Sequence, residues 1–178
     1  VYTITPELDV TLYEMAKEAG IPITFENSLP ADTSLDYISC VACHYEDIGY
    51  AAGKFISENY PGSKLFYVMG APGMGITELY EQGLHQALEE FGTVELVGTQ
   101  PTDWGAEQAM NVTQNAIQSG LEFDVIFANN EQMATGVINA LKDAGLFGKV
   151  KIVATGGGPH GLEMIANGEL DATMSAPV

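Results

Sequence analysis

Cys40, Cys43 and His44 stand in the order C-x-x-C-H within the stretch SCVACHYE, residues 39 to 46. That spacing tethers a c-type haem through two thioether bonds, and thiols beside an imidazole also ligate metals. The surrounding run YISCVA, residues 37 to 42, is apolar and β-branched and reads as a strand. Three residues of extended chain put two Cα atoms about 10 Å apart, with side chains on opposite faces. A disulfide needs about 7 Å or less, and a haem needs both thiols on one side with an apolar slot and a second axial ligand. Cys40 is therefore read as a small filler of a sheet, and Cys43, His44 and Tyr45 as residues emerging where the strand yields to a helix entered at Glu46. No metal or other cofactor is expected.

A second candidate is GAPGMG, residues 70 to 75, which follows a strand and opens a helix. It lacks the Lys-Ser/Thr of a P-loop and the G-x-G-x-x-G order of a dinucleotide site, and reads as a tight turn. No G-x-S-x-G elbow exists, and no Ser, His and acid fall together at strand ends, so hydrolase chemistry has no carrier and the chain is not expected to be an enzyme.

These residues must be positioned by a chain of 178 residues, 46% hydrophobic with 20 glycines, long enough for one well-cored domain or one domain and part of another. Its 24 acidic against 6 basic residues give a formal charge of −18, which repels phosphate backbones and argues against nucleic acid as a partner. No apolar run approaches the roughly 18 residues of a membrane span. Strands are expected at 1–5, 21–26, 37–42, 64–70, 94–99, 123–129, 149–155 and 170–175. Between them Ile76, Tyr80, Leu84, Ala87 and Phe91 form a helical stripe, Ala106, Met110, Thr113 and Ile117 a second, and Met133, Val137, Ile138 and Leu141 a third. Strict alternation of strand and helix predicts an α/β fold, a doubly wound parallel sheet covered on both faces. Ligands of such folds bind beyond the carboxyl ends of the strands.

The order of these pieces resembles a family. EAGIPITFEN (18–27), EDIGYAAGKFI (46–56), VMGAPGMGITELYEQGLHQAL (68–88), QPTDW (100–104), IFANNEQMATGVINALKDAG (126–145) and IANGELDATM (165–174) are similar in order and spacing to periplasmic sugar-binding proteins of the ribose-binding type. Those proteins share the type I periplasmic binding fold, two Rossmann-like lobes joined by crossing strands, with the sensor domains of LacI-type repressors. The resemblance implies that residues 1–35 are the last βαβ unit of the N-terminal lobe and residues 36–178 the C-terminal lobe with a hinge strand. Because the chain opens on VYTIT, which reads as a strand, it is expected to be an excerpt lacking most of the first lobe.

On that resemblance the function is capture of a sugar or sugar-like small molecule between two lobes by hinge closure, without chemistry. An ABC permease or a chemoreceptor would be the partner, in the periplasm or outside the cell, a membrane-anchored lipoprotein included. The alternative is the ligand-sensing domain of a LacI-type transcriptional regulator, marked by a DNA-binding headpiece at the N-terminus. Trp104 falls where the family stacks an aromatic ring on the sugar, Asn130 where it binds hydroxyls, and Glu26 and Asn27 where it carries a polar pair. Cys43, His44, Tyr45, Ala71 and Met74 complete the strand-end set. Departures accompany the matches. Tyr80 stands in place of an Arg, Asn27 of another Arg, Gly156 of an Asp and Ala176 of a Gln. They imply a larger or less hydroxylated ligand than a bare pentose, using room left by Gly156 to Gly158 and stacking on Trp104, Tyr80 or Tyr45.

Overall fold

The computed structural model describes residues 1–2 and 5–175. Five parallel strands, β3 (Lys64–Met69), β4 (Glu95–Pro101), β5 (Val125–Ala128), β6 (Lys151–Gly156) and β7 (Ala172–Ser175), form one sheet in the order β4-β3-β5-β6-β7. Two more, β1 (Thr24–Asn27) and β2 (Ser39–Ala42), pair in parallel as a separate sheet, with Phe25 opposite Cys40.

Period-two alternation in the central strands explains the double winding. On β3, Leu65, Tyr67 and Met69 face one core, while Phe66 and Val68 face the other. On β5, Val125 and Phe127 go with the first set, Ile126 and Ala128 with the second. Both faces are therefore apolar, as expected of a parallel strand covered by helices on both sides. Each fully buried Leu or Phe contributes about 1.5–3 kcal/mol, and a one-residue slip would swap the two sets into cores they are not shaped to fill. The first core is closed by α2 (Tyr45–Asn59) and α3 (Ile76–Phe91). The second is closed by α4 (Ala106–Gln118), α5 (Glu131–Asp143) and α6 (Pro159–Ala166).

Two helix pairs touch backbone to backbone. A Cβ on Gly49 of α2 would collide with the Tyr80 carbonyl of α3, and one on Gly83 would collide with the Glu46 carbonyl and the Tyr50 nitrogen. Gly136 of α5 approaches the Ala106 carbonyl in the same way. That crossing explains a departure in α4. The expected stripe runs through Ala106, Met110, Thr113 and Ile117; Thr113 is buried as expected, but its buried companions are Ala109 and Ala116, because small residues let α4 lie close on α5.

The expected alternation fails once. Between β1 and β2 there is no helix, only a crossing built on Pro30 and a turn in which Asp32 Oδ1 accepts from Ser34 N–H (2.9 Å) and from its hydroxyl (2.6 Å). α1 (Pro6–Glu18) instead precedes β1 and packs Tyr13 on Ile23 and Phe25. β2, which the boundary expected at residue 35 would assign to the second unit, pairs in parallel with β1. Of the strand expected at 1–5, Tyr2 makes an isolated parallel bridge to Glu26, and residues 3 and 4 lie outside the described residues.

Candidate ligand-binding site

From β3 the chain steps outward to β4 and then back across to β5, so the winding reverses between β3 and β5, where a doubly wound sheet opens its crevice. Gly70 ends one side of this gap and Asn129 the other. Asn129, 1% exposed, accepts on Oδ1 from Gly70 N–H (2.8 Å) and from the Tyr67 hydroxyl (2.9 Å). The Thr155 hydroxyl at the end of β6 donates to the Asn129 carbonyl (2.6 Å) and shares a 3.2 Å hydrogen bond with the Tyr80 hydroxyl. Burial pushes the Tyr80 phenol up to about 12 and raises the Tyr67 phenol further. Both remain neutral at any physiological pH.

Above this polar floor stands an aromatic wall. The tilted rings of Tyr45 and Tyr80 lie 5.2 Å apart, and those of Tyr80 and Trp104 lie 6.5 Å apart. The glycine crossing of α2 and α3 creates the first contact by bringing the start of α2 onto α3. Tyr80 is only 4% exposed. It is a wall member pinned at its hydroxyl and offers no open face for a ligand to stack on.

Trp104 differs. It follows β4 at a φ of 70°, with its ring lying over Gly70, where a Cβ would run into the indole. Its Nε1–H points to Met74 Sδ at 3.4 Å, its backbone N–H to the Thr102 hydroxyl at 3.2 Å, and its carbonyl accepts from Asn130 Nδ2 at 3.2 Å. The ring is held by all three and stays half-buried, as a stacking platform requires. Asn130 is the N-cap of α5, accepting from Met133 N–H at 2.6 Å. Its amide serves the helix and the Trp104 loop first, leaving one Nδ2 hydrogen and one Oδ1 lone pair for a hydroxyl.

On the β1–β2 side, Asn27 is buried with a φ of 83°, and its Oδ1 accepts from the Tyr45 hydroxyl (2.5 Å). Burial raises the Tyr45 phenol well above its ordinary range. Glu26 is exposed, opposite Val41 on β2. Cys43 packs against the Tyr45, Ile48, Ile76 and Tyr80 cluster, whereas Cys40 packs with Tyr13 and Phe25 and its thiol points to the Ser28 carbonyl (3.4 Å). Burial raises both thiols, with Asp9 adding to the effect at Cys40. The two cysteines are not joined in a disulfide. His44 is exposed at the N-cap of α2, between two openings that it lines together with Cys43 and Asp47. One, about 220 Å³, reaches Pro6 and Ser28 on the first unit; the other, about 430 Å³, reaches Thr173 and Met174 on β7. Ala71 contributes its carbonyl to the Thr77 hydroxyl (2.7 Å). Ala176 lies outside the described residues.

The room expected at Gly156 to Gly158 is filled. Glu131, the first residue of α5, lays its carboxylate there, Oε1 accepting from Gly157 N–H (2.8 Å) and from the Thr173 hydroxyl (2.8 Å). Gly156 at φ 137° and Gly161 leave the space, since a Cβ on either would strike the carboxylate. The signal was present in the run GGG followed by Gly161, but nothing local couples it to residue 131.

The six basic residues are all lysines, at 17, 54, 64, 142, 149 and 151. Lys64, Lys149 and Lys151 lie at or just before strand starts, Lys17 and Lys142 close their helices, and Lys54 is in the second half of α2. Three of them form ion pairs at the sheet's base, Lys64–Glu122 (2.7 Å), Lys142–Glu169 (2.8 Å) and Lys151–Asp171 (2.8 Å). Among the described residues, the carboxyl ends of the strands carry Glu26, Asp103 and Glu131 and no lysine. Among them, too, no group of three or more His, Cys, Asp or Glu could hold a metal ion.

Known proteins align with this geometry. The D-allose-binding periplasmic protein of Escherichia coli is 30% identical over 130 residues, 72% of this chain and 42% of that protein. A putative rhizopine-binding protein of Rhizobium meliloti is 28% identical over 180 residues, 98% of this chain and 58% of that one. The chain thus spans about half the length of the relatives it matches. Among solved structures, an ABC transporter periplasmic solute binding protein of Actinobacillus succinogenes with bound D-allose superposes with a TM-score of 0.84 at 28% identity, over 93% of this chain and 61% of that one. A solute binding protein of Bacillus halodurans with bound myo-inositol gives 0.88 at 25% identity, over 95% and 59%. Residues 6–177 match the family described as periplasmic binding protein domain. By that match and its doubly wound sheet, the chain belongs to the periplasmic binding protein family.

Proposed function

We propose that this chain is the C-terminal lobe, with the end of the N-terminal lobe, of an extracytoplasmic solute-binding protein that captures a neutral sugar or cyclic polyol for an ABC permease or a chemoreceptor. α1, β1 and β2 would belong to the first lobe and residues from Tyr45 onward to the second, with the remainder of the first lobe supplied by chain outside this sequence. The observation that carries this reading is Trp104. A half-buried indole is fixed beside Asn130 at the strand ends, where a pyranose face can stack while its rim hydroxyls meet amide and carboxylate groups. Binding needs no chemistry. Ligand favours the closed arrangement by its extra contacts with the lobe that closes over it, and the permease or receptor reads that arrangement.

The test is a thermal-shift and calorimetric screen of the full-length protein against D-allose, D-ribose, D-xylose and myo-inositol. At a ligand concentration about 100 times the Kd, stabilisation reaches about 2.7 kcal/mol, a readily measured rise in Tm. No shift and no heat with any of the four would overturn the proposal.

A further inference from the structure

Glu131 is a carboxylate whose surroundings explain only half of it. Oε1 is held by Gly157 N–H and the Thr173 hydroxyl, while Oε2 has no hydrogen-bond partner among the described residues and lies over Gly156 and Gly158. Among the described residues, the lysines with ion pairs are at the opposite end of the sheet. Gly156 and Gly161 are both shaped around this one group, because a side chain on either would displace it. A carboxylate fixed on one oxygen and open on the other, at the carboxyl ends of β5 and β6, is preorganised to accept hydrogen bonds from a molecule in the crevice. Thr173, which anchors it, also lines the 430 Å³ groove beside Cys43 and His44.

We propose that Glu131 is a specificity-determining residue of the site, its Oε2 accepting a hydroxyl of the bound polyol. This rests on the reading of the chain as a solute-binding lobe and names the group that reads the ligand there. Position 156, a glycine, leaves a gap, and a residue earlier in the chain fills it from the neighbouring helix. The ligand then meets a carboxylate rooted on α5 that is held by β7 and the turn before α6.

The experiment compares wild-type full-length protein with Glu131→Gln by calorimetry against D-allose, D-ribose, D-xylose and myo-inositol, and against monodeoxy analogues of whichever binds. Glutamine keeps an oxygen for Gly157 and Thr173 and loses the charge. Hydrogen bonds to charged groups predict an affinity loss of about 10- to 100-fold with the unliganded Tm little changed. The wild type should be most sensitive to removal of one particular hydroxyl, and the variant should lose that preference, a pattern that a purely structural role for Glu131 would not produce. Thr173→Val provides a second route if Glu131→Gln folds poorly, since it frees the carboxylate without removing it and should weaken binding with the same positional preference blurred. Wild-type binding with both variants unchanged overturns the role of Glu131 and leaves the proposed function standing. Absence of wild-type binding to all four polyols overturns both.

Discussion

The hydroxyl of Tyr45, the first residue of α2, donates to Asn27 Oδ1 at the last residue of β1 across 2.5 Å. A side-chain bond thereby fastens the two-stranded sheet to the five-stranded unit beside the main-chain crossing, where Cys43 N–H also donates to the Asn27 carbonyl (3.1 Å). Tyr45→Phe keeps the ring contact with Tyr80 and removes this tie. We expect a loss of about 0.5–1.5 kcal/mol in urea unfolding, with β1 and β2 amides exchanging faster than those of β3 and β5.

Gly83→Ala should cost more than its helix propensity returns. Alanine gains about 1 kcal/mol over glycine in a helix interior, but here its Cβ meets the Glu46 carbonyl, and overpacking costs about 1–3 kcal/mol or more. The expected outcome is a lower urea midpoint and a weaker near-ultraviolet circular dichroism signal, as Tyr45 and Tyr80 separate. An unchanged midpoint would contradict the close crossing.

Gly70→Ala tests the seat of Trp104. Its Cβ would fall within the indole, forcing the ring outward. Because Trp104 is the only tryptophan of this chain, its fluorescence reports directly, and emission should shift to the red with polyol affinity falling. Emission identical to wild type would mean the ring does not rest on Gly70.

Alkaline stability follows from the buried phenols. Burial raises Tyr45, Tyr67 and Tyr80 above the ordinary tyrosine value, Tyr80 to about 12. In the unfolded chain they ionise near about 10, so from about pH 10 upward the unfolded state releases protons that the folded state retains. Their contribution is complete below about pH 10 and is lost as pH rises through the folded values, at about 1.4 kcal/mol for every tenfold change that burial makes in a phenol's ionisation constant. Denaturant melts from neutral pH to about pH 11 should show stability falling steeply beyond about 10, with tyrosinate absorbance appearing as the protein unfolds.

The lysine-free crevice predicts what will not bind. With Glu26, Asp103 and Glu131 at the strand ends and no lysine there among the described residues, the wall this chain supplies presents only like charge to an anionic sugar. Glucuronate and ribose 5-phosphate should give no heat with full-length protein that binds a neutral polyol. Comparable affinity for either would require cationic groups in the crevice.

How far the sequence discloses this arrangement depends on how local the cause is. β3 and β5 are legible because FYV and VIFA are apolar on both faces, a pattern that only a doubly covered strand tolerates. Trp104 and Asn130 are legible as strand-end residues because their strands are. The connection from β1 to β2 is not, since alternation suggests a helix where Pro30 and the Asp32 turn build a bare crossing. The burial of Tyr80 depends on Gly49 and Gly83, far apart in the chain, meeting across two helices. Glu131 depends on Gly156 and Gly161 in the same way. The glycines are visible in the sequence, but the partner each one admits is fixed only by tertiary packing.

The glycine crossing also limits how the molecule can move. With backbone against backbone at Gly49 and Gly83, α2 and α3 have no side-chain cushion over which to slide, so shear between them is closed off. The two helices, with the Tyr45 and Tyr80 rings they carry, behave as one stiff lever. Among the described residues, the main chain passes from the β1–β2 ladder into α2 over the short stretch between Ala42 and Tyr45, where a rotation of that lever would pivot. Rotation there would swing Tyr45 and Tyr80 together, keeping their mutual spacing while changing what they face.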